Sequence, residues 1–409
     1  MADKDNKIKA KCDFCGKVIP TSAKSKKDVL FLGGAESSIS ICGSCIEDAN
    51  RILQGTKLKD SNDSKDILIN QKDVTITPKL LKDKLDEWII DQDLAKKKIS
   101  IAVYDHYKRI NLPEDEINSI EKSNILLAGS TGCGKTAIVK ALAKELDLPL
   151  HIEDVTTITT TGYQGRNVED MLSRLLAEAN GDLDKAQHGI ILLDEGDKLR
   201  KVSGNGGRDV KGEGVQQSLL KIVEGGIFTI KYKNAEYSFD TTNVLFILAG
   251  AFDGIEKIIS KRLNSAKTAG GFTGIITDKT NIEYNKMIIE IHPDDLKAYG
   301  MMSELLGRFP IIVPLQELSE EALVRILTEP KNAIIKQMVK SFALDNIKLK
   351  FDKEALIKIA RKAKERKTGA RALRSIVEEV ITDAKYDCPG TNITEVEINN
   401  DLSLSYIEN

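Results

Sequence analysis

Short apolar runs alternate with more polar stretches through the middle of the chain. Three runs of four or five apolar residues occupy positions 125–128, 190–193 and 244–248. Uninterrupted apolar runs of this length are typical of strands that are buried on both faces of a parallel sheet. The longer segments between them have helix-forming compositions. The pattern therefore predicts an α/β domain built on a parallel sheet.

Helical periodicity flanks this region on both sides. Before it, Thr77 and Pro78 are of the types that begin helices, and apolar residues including Leu81 and Leu85 follow at helical spacing. After it, apolar residues recur every three or four positions in 320–327 and again in 354–360. We therefore expect a C-terminal domain that is mainly α-helical, of α+β type, beside the sheet.

Composition limits the class of protein. A chain of 409 residues with 41% hydrophobic and 30% charged residues predicts two or three core-forming domains. With 60 basic and 62 acidic residues there is no overall basic field, which makes nucleic acid an unlikely partner. No apolar run approaches about 18 residues and the N-terminus has no apolar signal core. We therefore predict a cytoplasmic protein without membrane contact.

The same patterns divide the chain into four segments. Residues 1–53 contain paired cysteines and few large apolar side chains, and residues 54–75 are polar enough to predict a flexible linker. Residues 76–314 form the predicted large α/β domain and residues 315–409 the smaller C-terminal domain. The linker would tether the N-terminal segment to the rest.

A glycine-rich segment follows the first apolar run and precedes a helix-forming stretch. Its spacing G-x-x-x-x-G-K-T lets successive backbone N–H groups converge on a phosphate at a helix N-terminus. Lysine in this motif reaches the β- and γ-phosphates, and the following hydroxyl ligates Mg²⁺. The sequence therefore predicts a nucleoside triphosphate site formed by eight consecutive residues: Gly129, Ser130, Thr131, Gly132, Cys133, Gly134, Lys135 and Thr136.

Two carboxylates end the second apolar run. Asp194 and Glu195 stand where parallel sheets place their chemistry, at the carboxyl end of a strand. We expect Asp194 to hold Mg²⁺, directly or through water, and Glu195 to polarise the water that attacks the γ-phosphate. Such a pair alone is a weak signal, but about 60 residues after a phosphate loop it is specific.

Four of the six cysteines form two C-x-x-C pairs. Four thiolates converging in a tetrahedral site would hold a structural Zn²⁺ and supply the folding energy that so small a segment lacks. The alternative is a set of unligated or redox cysteines, which the paired spacing disfavours. The proposed ligands are Cys12, Cys15, Cys42 and Cys45.

Several other residues admit two interpretations from the sequence alone. Ile89 and Ile90 either line an adenine pocket or belong to the core. Tyr163, between glycines, is either an exposed loop tip or part of a simple turn. Arg308, ahead of a proline, is either an arginine finger or half of a surface ion pair. Arg371 lies in the first turn of a predicted helix, where a second arginine that senses nucleotide would stand.

Motifs along nearly the whole chain carry a resemblance to a known family. In order they are the C-x-x-C pairs, GSTGCGKT, LLDEGDK, RDVKGEGVQQSLLKIVEG, ELLGRFP and KTGARALRSIVE. With these segments the chain resembles the ClpX family of AAA+ protein unfoldases, which feed the ClpP peptidase. The GEGVQQ and TGAR segments are specific to that group, and the related HslU lacks the zinc module.

The resemblance implies an ATP-driven unfoldase that works as a ring homohexamer, with ATP at the subunit interfaces. It implies that Arg308 acts in trans on the neighbouring site and that Arg371 is the sensor-2 arginine. Tyr163 would grip the translocating polypeptide, and Ile89 and Ile90 would pack on adenine. Unfolded or tagged proteins would be the substrates, with adaptor proteins as further partners.

Three segments depart from the family pattern. Gln164 replaces the usual valine of the first pore loop. The resemblance implies that residues 203–208 belong to the second pore loop. Residues 227–237 form a short predicted hairpin and lack the longer insertion with a basic RKH-type motif, which serves recognition of carboxylate-terminated tags. The ClpP-docking tripeptide reads Gly270-Gly271-Phe272 and lacks an aliphatic anchor, and such a hot-spot residue is worth about 2 kcal/mol.

These departures leave alternatives open. The first is an unfoldase that serves as the specificity subunit of a ClpP protease, and the second is a stand-alone remodelling chaperone. A zinc-ribbon ATPase stimulated by nucleic acid would need a basic stripe with stacking aromatics, which the scattered charges do not offer. A scaffold that binds ATP without turnover is disfavoured by the intact Asp194, Glu195 and Arg308.

Overall fold

The computed structural model describes residues 76–408 except 114–115, 117–119, 159–166, 201–209, 269–280 and 367. Before residue 76 it describes short strands only. The chain divides into two compact units, residues 1–66 and 67–409.

The first unit contains two antiparallel strand pairs. Strand β1 (Ala10–Lys11) pairs with β2 (Val18–Ile19), and β3 (Leu32–Gly34) pairs with β4 (Ser37–Ile39). In the second unit, β5 (Ile69–Asn70) pairs with β6 (Asp73–Val74). This last pair lies within the polar segment 54–75 that composition predicts as a linker.

A five-stranded, fully parallel sheet organises the second unit. Its order is β13-β7-β12-β9-β8. The strand β7, which comes first in the chain, therefore lies in the interior of the sheet, and β12 lies between β7 and β9. The three predicted apolar runs form its three central strands, all nearly inaccessible to solvent. The strands are β7 (Ile125–Ala128), β8 (Leu150–Asp154), β9 (Ile190–Asp194), β12 (Leu245–Gly250) and β13 (Ile311–Pro314).

Ten helices accompany this sheet in the described part of the chain, mostly in the intervals between strands. The predicted first helix begins as expected, because the Thr77 side chain accepts a hydrogen bond from Leu80 N and Pro78 occupies the first turn. The helices are α1 (Pro78–Asp86), α2 (Asp93–Ile110), α3 (Lys135–Glu145), α4 (Asp170–Glu178), α5 (Leu183–Gln187), α6 (Val210–Glu224), α7 (Ile255–Thr268), α8 (Asn281–Ile289), α9 (Pro293–Tyr299) and α10 (Ser303–Gly307).

Each face of the sheet has its own hydrophobic core. Apolar side chains of α1, α2 and α3 pack with one face, together with alternate residues of the central strands such as Ile125 and Leu127. Side chains of α4, α6 and α7 pack with the other face, which receives Leu126 and Ala128. Strand residues alternate between faces, so burial on both sides requires the continuous apolar runs seen in the sequence. The expected α/β architecture is confirmed.

A short hairpin joins α6 to β12. Strands β10 (Ile227–Tyr232) and β11 (Ala235–Asp240) pair antiparallel, and the turn residues Lys233 and Asn234 both have positive φ angles of 46° and 65°. Two consecutive left-handed residues form the turn that suits the twist of a two-residue hairpin. The predicted hairpin is confirmed, with Lys233 and Asn234 as its turn.

The C-terminal region has a separate core. Four helices surround it, with Leu327, Ile359, Leu373 and Ile381 among the buried side chains. A three-stranded sheet of order β14-β15-β16 completes the region, which accords with the α+β prediction. The elements are α11 (Glu320–Thr328), α12 (Ile334–Ala343), β14 (Lys348–Phe351), α13 (Lys353–Glu365), α14 (Arg371–Asp387), β15 (Ile393–Ile398) and β16 (Leu404–Glu408).

Candidate functional site

The glycine-rich segment connects β7 to α3 at the carboxyl edge of the sheet. Helix α3 begins at Lys135, and Gly134 before it has a φ of 108°, a conformation that favours glycine. No side chain caps this helix N-terminus. Its first backbone N–H groups therefore remain oriented for an anion, as a phosphate loop requires.

Lys135 is the charged group of this loop, and its side chain is folded inward. Lys135 is only 8% exposed, and its ammonium donates hydrogen bonds to the carbonyl oxygens of Gly129 and Ser130, the latter at 3.0 Å. Burial of a lysine with no carboxylate partner is costly unless an anion compensates its charge. The loop thus fits a polyphosphate.

Thr136 and Asp194 meet across the sheet edge. The Thr136 hydroxyl donates to Asp194 Oδ2 at 3.0 Å, and Asp194 Oδ1 accepts from the backbone N–H of Glu195 at 2.9 Å. Because β7 and β9 are parallel and separated by one strand, their carboxyl ends bring these two oxygens together. Hydroxyl and carboxylate oxygens are the donor set that Mg²⁺ prefers, so the residues present fit that ion.

Glu195 is exposed at the same edge and adopts a left-handed conformation with φ of 58°. It precedes a single 3₁₀ turn, Gly196–Leu199. A non-glycine residue in this region of the Ramachandran plot is strained and is retained where surrounding structure imposes it. Here a Cβ on Gly196 would lie 2.6 Å from Leu248 Cδ1, so the turn is pressed against β12. The backbone of Glu195 is accordingly fixed beside Asp194, to which its N–H donates.

Asp197 supports this arrangement and was not identified from the sequence. It is 3% exposed, its Oδ1 accepts from Ala251 N at 3.0 Å, and its Oδ2 lies 3.1 Å from Lys198 Nζ. It therefore ties the turn after β9 to the turn after β12. Its only sequence signal is its place three residues after Asp194.

Ile89 and Ile90 lie between α1 and α2. Ile90 is 7% exposed and Ile89 is half-buried. Both line a cavity whose other wall is formed by residues of the C-terminal region, including Arg325 and Pro330. Gln92, two positions further, donates to the carbonyl oxygen of Cys133 at 3.1 Å. Sequence reasoning did not single out Gln92.

A second cavity adjoins the phosphate loop itself. It is lined by residues 130–133, by Asp253, and by residues of the C-terminal region that include Glu317, Lys364 and Gly369. Burial raises the pKa of the Glu317 carboxyl, and the Ser130 hydroxyl bonded to it opposes that shift. Both cavities therefore combine residues from the sheet region and the C-terminal region.

Arg371 begins helix α14 next to the loop. The turn before it approaches so closely that a Cβ on Gly132 would lie 2.1 Å from Thr368 O. The N–H of Ala370 donates to Gly132 O at 3.2 Å. The Arg371 side chain is exposed and makes no ion pair within the described residues.

Arg308 lies at the opposite edge of the sheet. Its guanidinium pairs with Glu224 at 2.7 Å, and both side chains are largely exposed. Its carbonyl oxygen accepts from Asn124 Nδ2 at 2.9 Å, and Asn124 is the residue immediately before β7. The loop that holds Lys135 follows the other end of β7. The structure therefore does not bring Arg308 to the phosphate loop of its own chain.

The remaining predicted site residues lie outside the described residues. They are Tyr163 and the second pore loop 203–208, the tripeptide 270–272, and the four cysteines Cys12, Cys15, Cys42 and Cys45. Their proposed roles stay predictions from the sequence.

Comparison with known proteins agrees with this geometry. The family model described as AAA domain (Cdc48 subfamily) matches residues 120–312, which contain the phosphate loop, four strands of the sheet and the first half of β13. The model described as the C-terminal, D2-small domain of ClpB protein matches residues 318–387. Fold, site and matches together define an AAA ATPase.

Curated relatives specify the family. A protein of Treponema denticola is 42% identical over 388 residues, covering 92% of this chain and 90% of the relative. Proteins of Bacteroides thetaiotaomicron and Bacteroides fragilis are 40% and 39% identical over 99% and 100% of this chain, and over 97% and 98% of their own lengths. All three are named "ATP-dependent Clp protease ATP-binding subunit ClpX". The chain belongs to the ClpX family, and it is an ATPase.

The helices were compared with what a membrane span requires. None of those in the described part of the chain is both long enough and apolar enough to cross a bilayer.

Proposed function

We propose that this ATPase is a protein unfoldase that pulls polypeptides through the pore of a homohexameric ring. The observation that carries the proposal is the separation of Arg308 from the phosphate loop along β7. An arginine held at that edge cannot reach the nucleotide site of its own subunit. In a head-to-tail ring, however, each subunit can present one edge to the nucleotide of the next.

Within each site the chain's own residues divide the work of hydrolysis. Lys135 and the N–H groups at the start of α3 bind the phosphates, and Thr136 with Asp194 would hold Mg²⁺. When bound there, the ion would supply positive charge to the phosphates. Glu195 orients the attacking water and accepts its proton. Arg308 of the neighbouring subunit stabilises the charge that develops in the transition state.

The output of hydrolysis would be movement of protein. Residues of the C-terminal region approach the phosphate loop at Gly132 through the turn before Arg371. A change in the phosphates would therefore alter the position of that region and of the attached ring. We assign the grip on the moving polypeptide to Tyr163 and the second pore loop, residues 203–208, as the sequence predicts.

Two observations bear on the partner peptidase. The printed names of the relatives describe a subunit of a Clp protease, which supports delivery of substrates to ClpP. The tripeptide Gly270-Gly271-Phe272 favours weaker docking, and the stand-alone remodelling chaperone is the alternative. Co-sedimentation with ClpP in the presence of ATP separates the two.

The N-terminal segment, residues 1–53, has a proposed role of its own. A structural Zn²⁺ held by the four cysteines would fold it, and its position ahead of the ATPase suits substrate or adaptor binding. We place the protein in the cytoplasm, as composition predicts.

Stimulation of ATP hydrolysis tests the proposed class of substrate. We expect an unfolded polypeptide, such as carboxymethylated casein, to raise the ATPase rate several-fold, and single-stranded DNA to leave it unchanged. A Tyr163→Ala variant should hydrolyse ATP but lose much of the response to polypeptide. Stimulation by DNA without stimulation by polypeptide would instead identify a nucleic-acid ATPase.

A further inference from the structure

Residues 315–318 connect the sheet to the C-terminal region, and we call them the connector. Leu315 is fixed to the sheet, because its N–H donates to Ala128 O at 2.7 Å. Ser319 caps helix α11 by accepting from Ala322 N at 3.1 Å. Gln316 and Glu317 lie between these two anchors and belong to neither the sheet nor the helix.

Two side-chain amides hold these two residues. Gln92 donates to Gln316 O at 2.7 Å and accepts from Gln316 N at 3.0 Å. Asn285 donates to Glu317 O at 3.1 Å and accepts from Glu317 N at 2.7 Å. Each amide thus satisfies both backbone groups of one connector residue, as a neighbouring strand would. The two amides come from separate elements, one before α2 and one on α8.

Gln92 makes one bond more than Asn285. Its amide nitrogen also donates to Cys133 O in the phosphate loop, whereas Asn285 has no hydrogen bond to that loop in the described structure. Gln92 is 5% exposed, so these bonds form away from competing water. The Gln92 side chain therefore bonds the backbone of the phosphate loop and the backbone of the connector at the same time, whereas the bond between Ser130 and Glu317 joins two side chains.

The backbone at Gln92 is strained in a way that serves this contact. Asp91 and Gln92 both have positive φ angles, 54° and 59°, which non-glycine residues seldom adopt. Gln92 stands at the N-cap of α2 but its side chain makes no capping bond there. Strain of this kind is kept where other contacts impose it. Here the side chain is turned from its local helix toward the loop and the connector.

We propose that Gln92 is a positioning residue that transmits the state of the phosphate loop to the connector, and that Asn285 is a passive support. Bound phosphates fix the backbone around Cys133, which fixes the acceptor of the Gln92 amide and so the orientation of Gln316. The orientation of the C-terminal region then depends on nucleotide. This inference rests on the proposed function for its purpose, since a motor needs such a link.

Hydrogen–deuterium exchange of the full chain, resolved to single amides, tests the link. In the wild type, saturating ADP should slow exchange of the Gln316 amide about tenfold, since that amide donates to Gln92. In Gln92→Met, a substitution of similar shape without hydrogen bonds, this amide should exchange fast with or without ADP. The side chain of Gln92→Asn is too short to bond both partners, so the Gln316 amide should again exchange fast with or without ADP. This variant replaces Gln92→Met if the methionine protein fails to fold.

Asn285→Leu is the matched control. It should speed exchange of the Glu317 amide while the ADP response at Gln316 persists, because the Gln92 bonds remain. Calorimetry verifies that ADP saturates each variant. An ADP response at Gln316 that survives in Gln92→Met, or its absence in the wild type, would overturn the inference. Exchange does not require unfolding activity, so failure of an unfolding assay would count against the proposed function alone.

Discussion

Mixed rings of two inactive variants test whether Arg308 works in trans. Asn124, which holds the Arg308 backbone, precedes Gly129 by five residues, about 16 Å along an extended strand. That gap exceeds the reach of an arginine side chain, so Arg308 cannot complete its own site. Arg308→Ala should lower the ATPase rate about 10³-fold or more, and Lys135→Ala should abolish nucleotide binding.

In an equimolar mixture the two defects should complement each other. An interface is intact when the Arg308→Ala subunit supplies the phosphate loop and the Lys135→Ala subunit supplies the arginine. With random mixing this occurs at about one quarter of the interfaces of a head-to-tail ring, so about a quarter of the wild-type ATPase rate should return. The assay is phosphate release after the variants are mixed and allowed to exchange subunits.

Controls separate this result from general damage. Glu224→Gln removes the ion-pair partner of Arg308 while leaving the arginine, and an exposed pair of this kind contributes little to stability. Its ATPase rate should stay within about twofold of wild type. A mixture as inactive as its components, although mixed rings form, would refute the assignment of Arg308 to a neighbouring site.

Three further predictions follow from particular contacts. Gly132→Ala should weaken ATP binding at least tenfold, since its Cβ would collide with the turn at Thr368, whereas Gly307→Ala, which meets no atom within 4 Å, should leave calorimetric affinity unchanged. His106 is buried with its pKa lowered from 6.5 to about 3 by desolvation, so the unfolded state alone takes up its proton as pH falls from 6.5 towards 3. The free energy of unfolding at pH 5 should therefore be about 2 kcal/mol lower than it would be if the pKa of His106 were unshifted. His106→Gln should flatten the pH dependence of unfolding monitored by the single tryptophan; an unchanged slope would contradict this. Elemental analysis should find one zinc per chain, and replacing one cysteine of each C-x-x-C pair by serine should remove it; full zinc content in that variant would exclude the proposed ligands.

The sheet could be predicted, and Asp194 and Glu195 could be placed at its carboxyl edge, because the signals for both are local. The continuous apolar runs require burial on both faces, and the spacing of glycines before Lys135 is imposed by phosphate geometry. Asp194 then follows from its position at the end of such a run. The structure brings Thr136 and Asp194 within 3.0 Å, as those roles require.

Contacts between distant segments could not be predicted in the same way. Gln92 and Gln316 are 224 positions apart, and neither amide shows a periodicity or motif that indicates its partner. Asn124 is one polar residue before an apolar strand, and its bond to the Arg308 carbonyl depends on the strand order. For Arg308, the sequence offered a finger and a surface ion pair as alternatives. The structure shows the ion pair within one chain, and the mixed-ring experiment decides on the finger.

Unfolding of a stable substrate shows directly whether this ATPase is an unfoldase. A green fluorescent protein with an unstructured tail is incubated with the ATPase, ATP and a trap that captures unfolded molecules, and fluorescence is followed. We expect fluorescence to be lost with the wild type and to persist with Glu195→Gln, which should bind ATP without hydrolysing it. Persistent fluorescence with an actively hydrolysing wild type, over a panel of tail sequences, would contradict the claim that hydrolysis at this site drives unfolding.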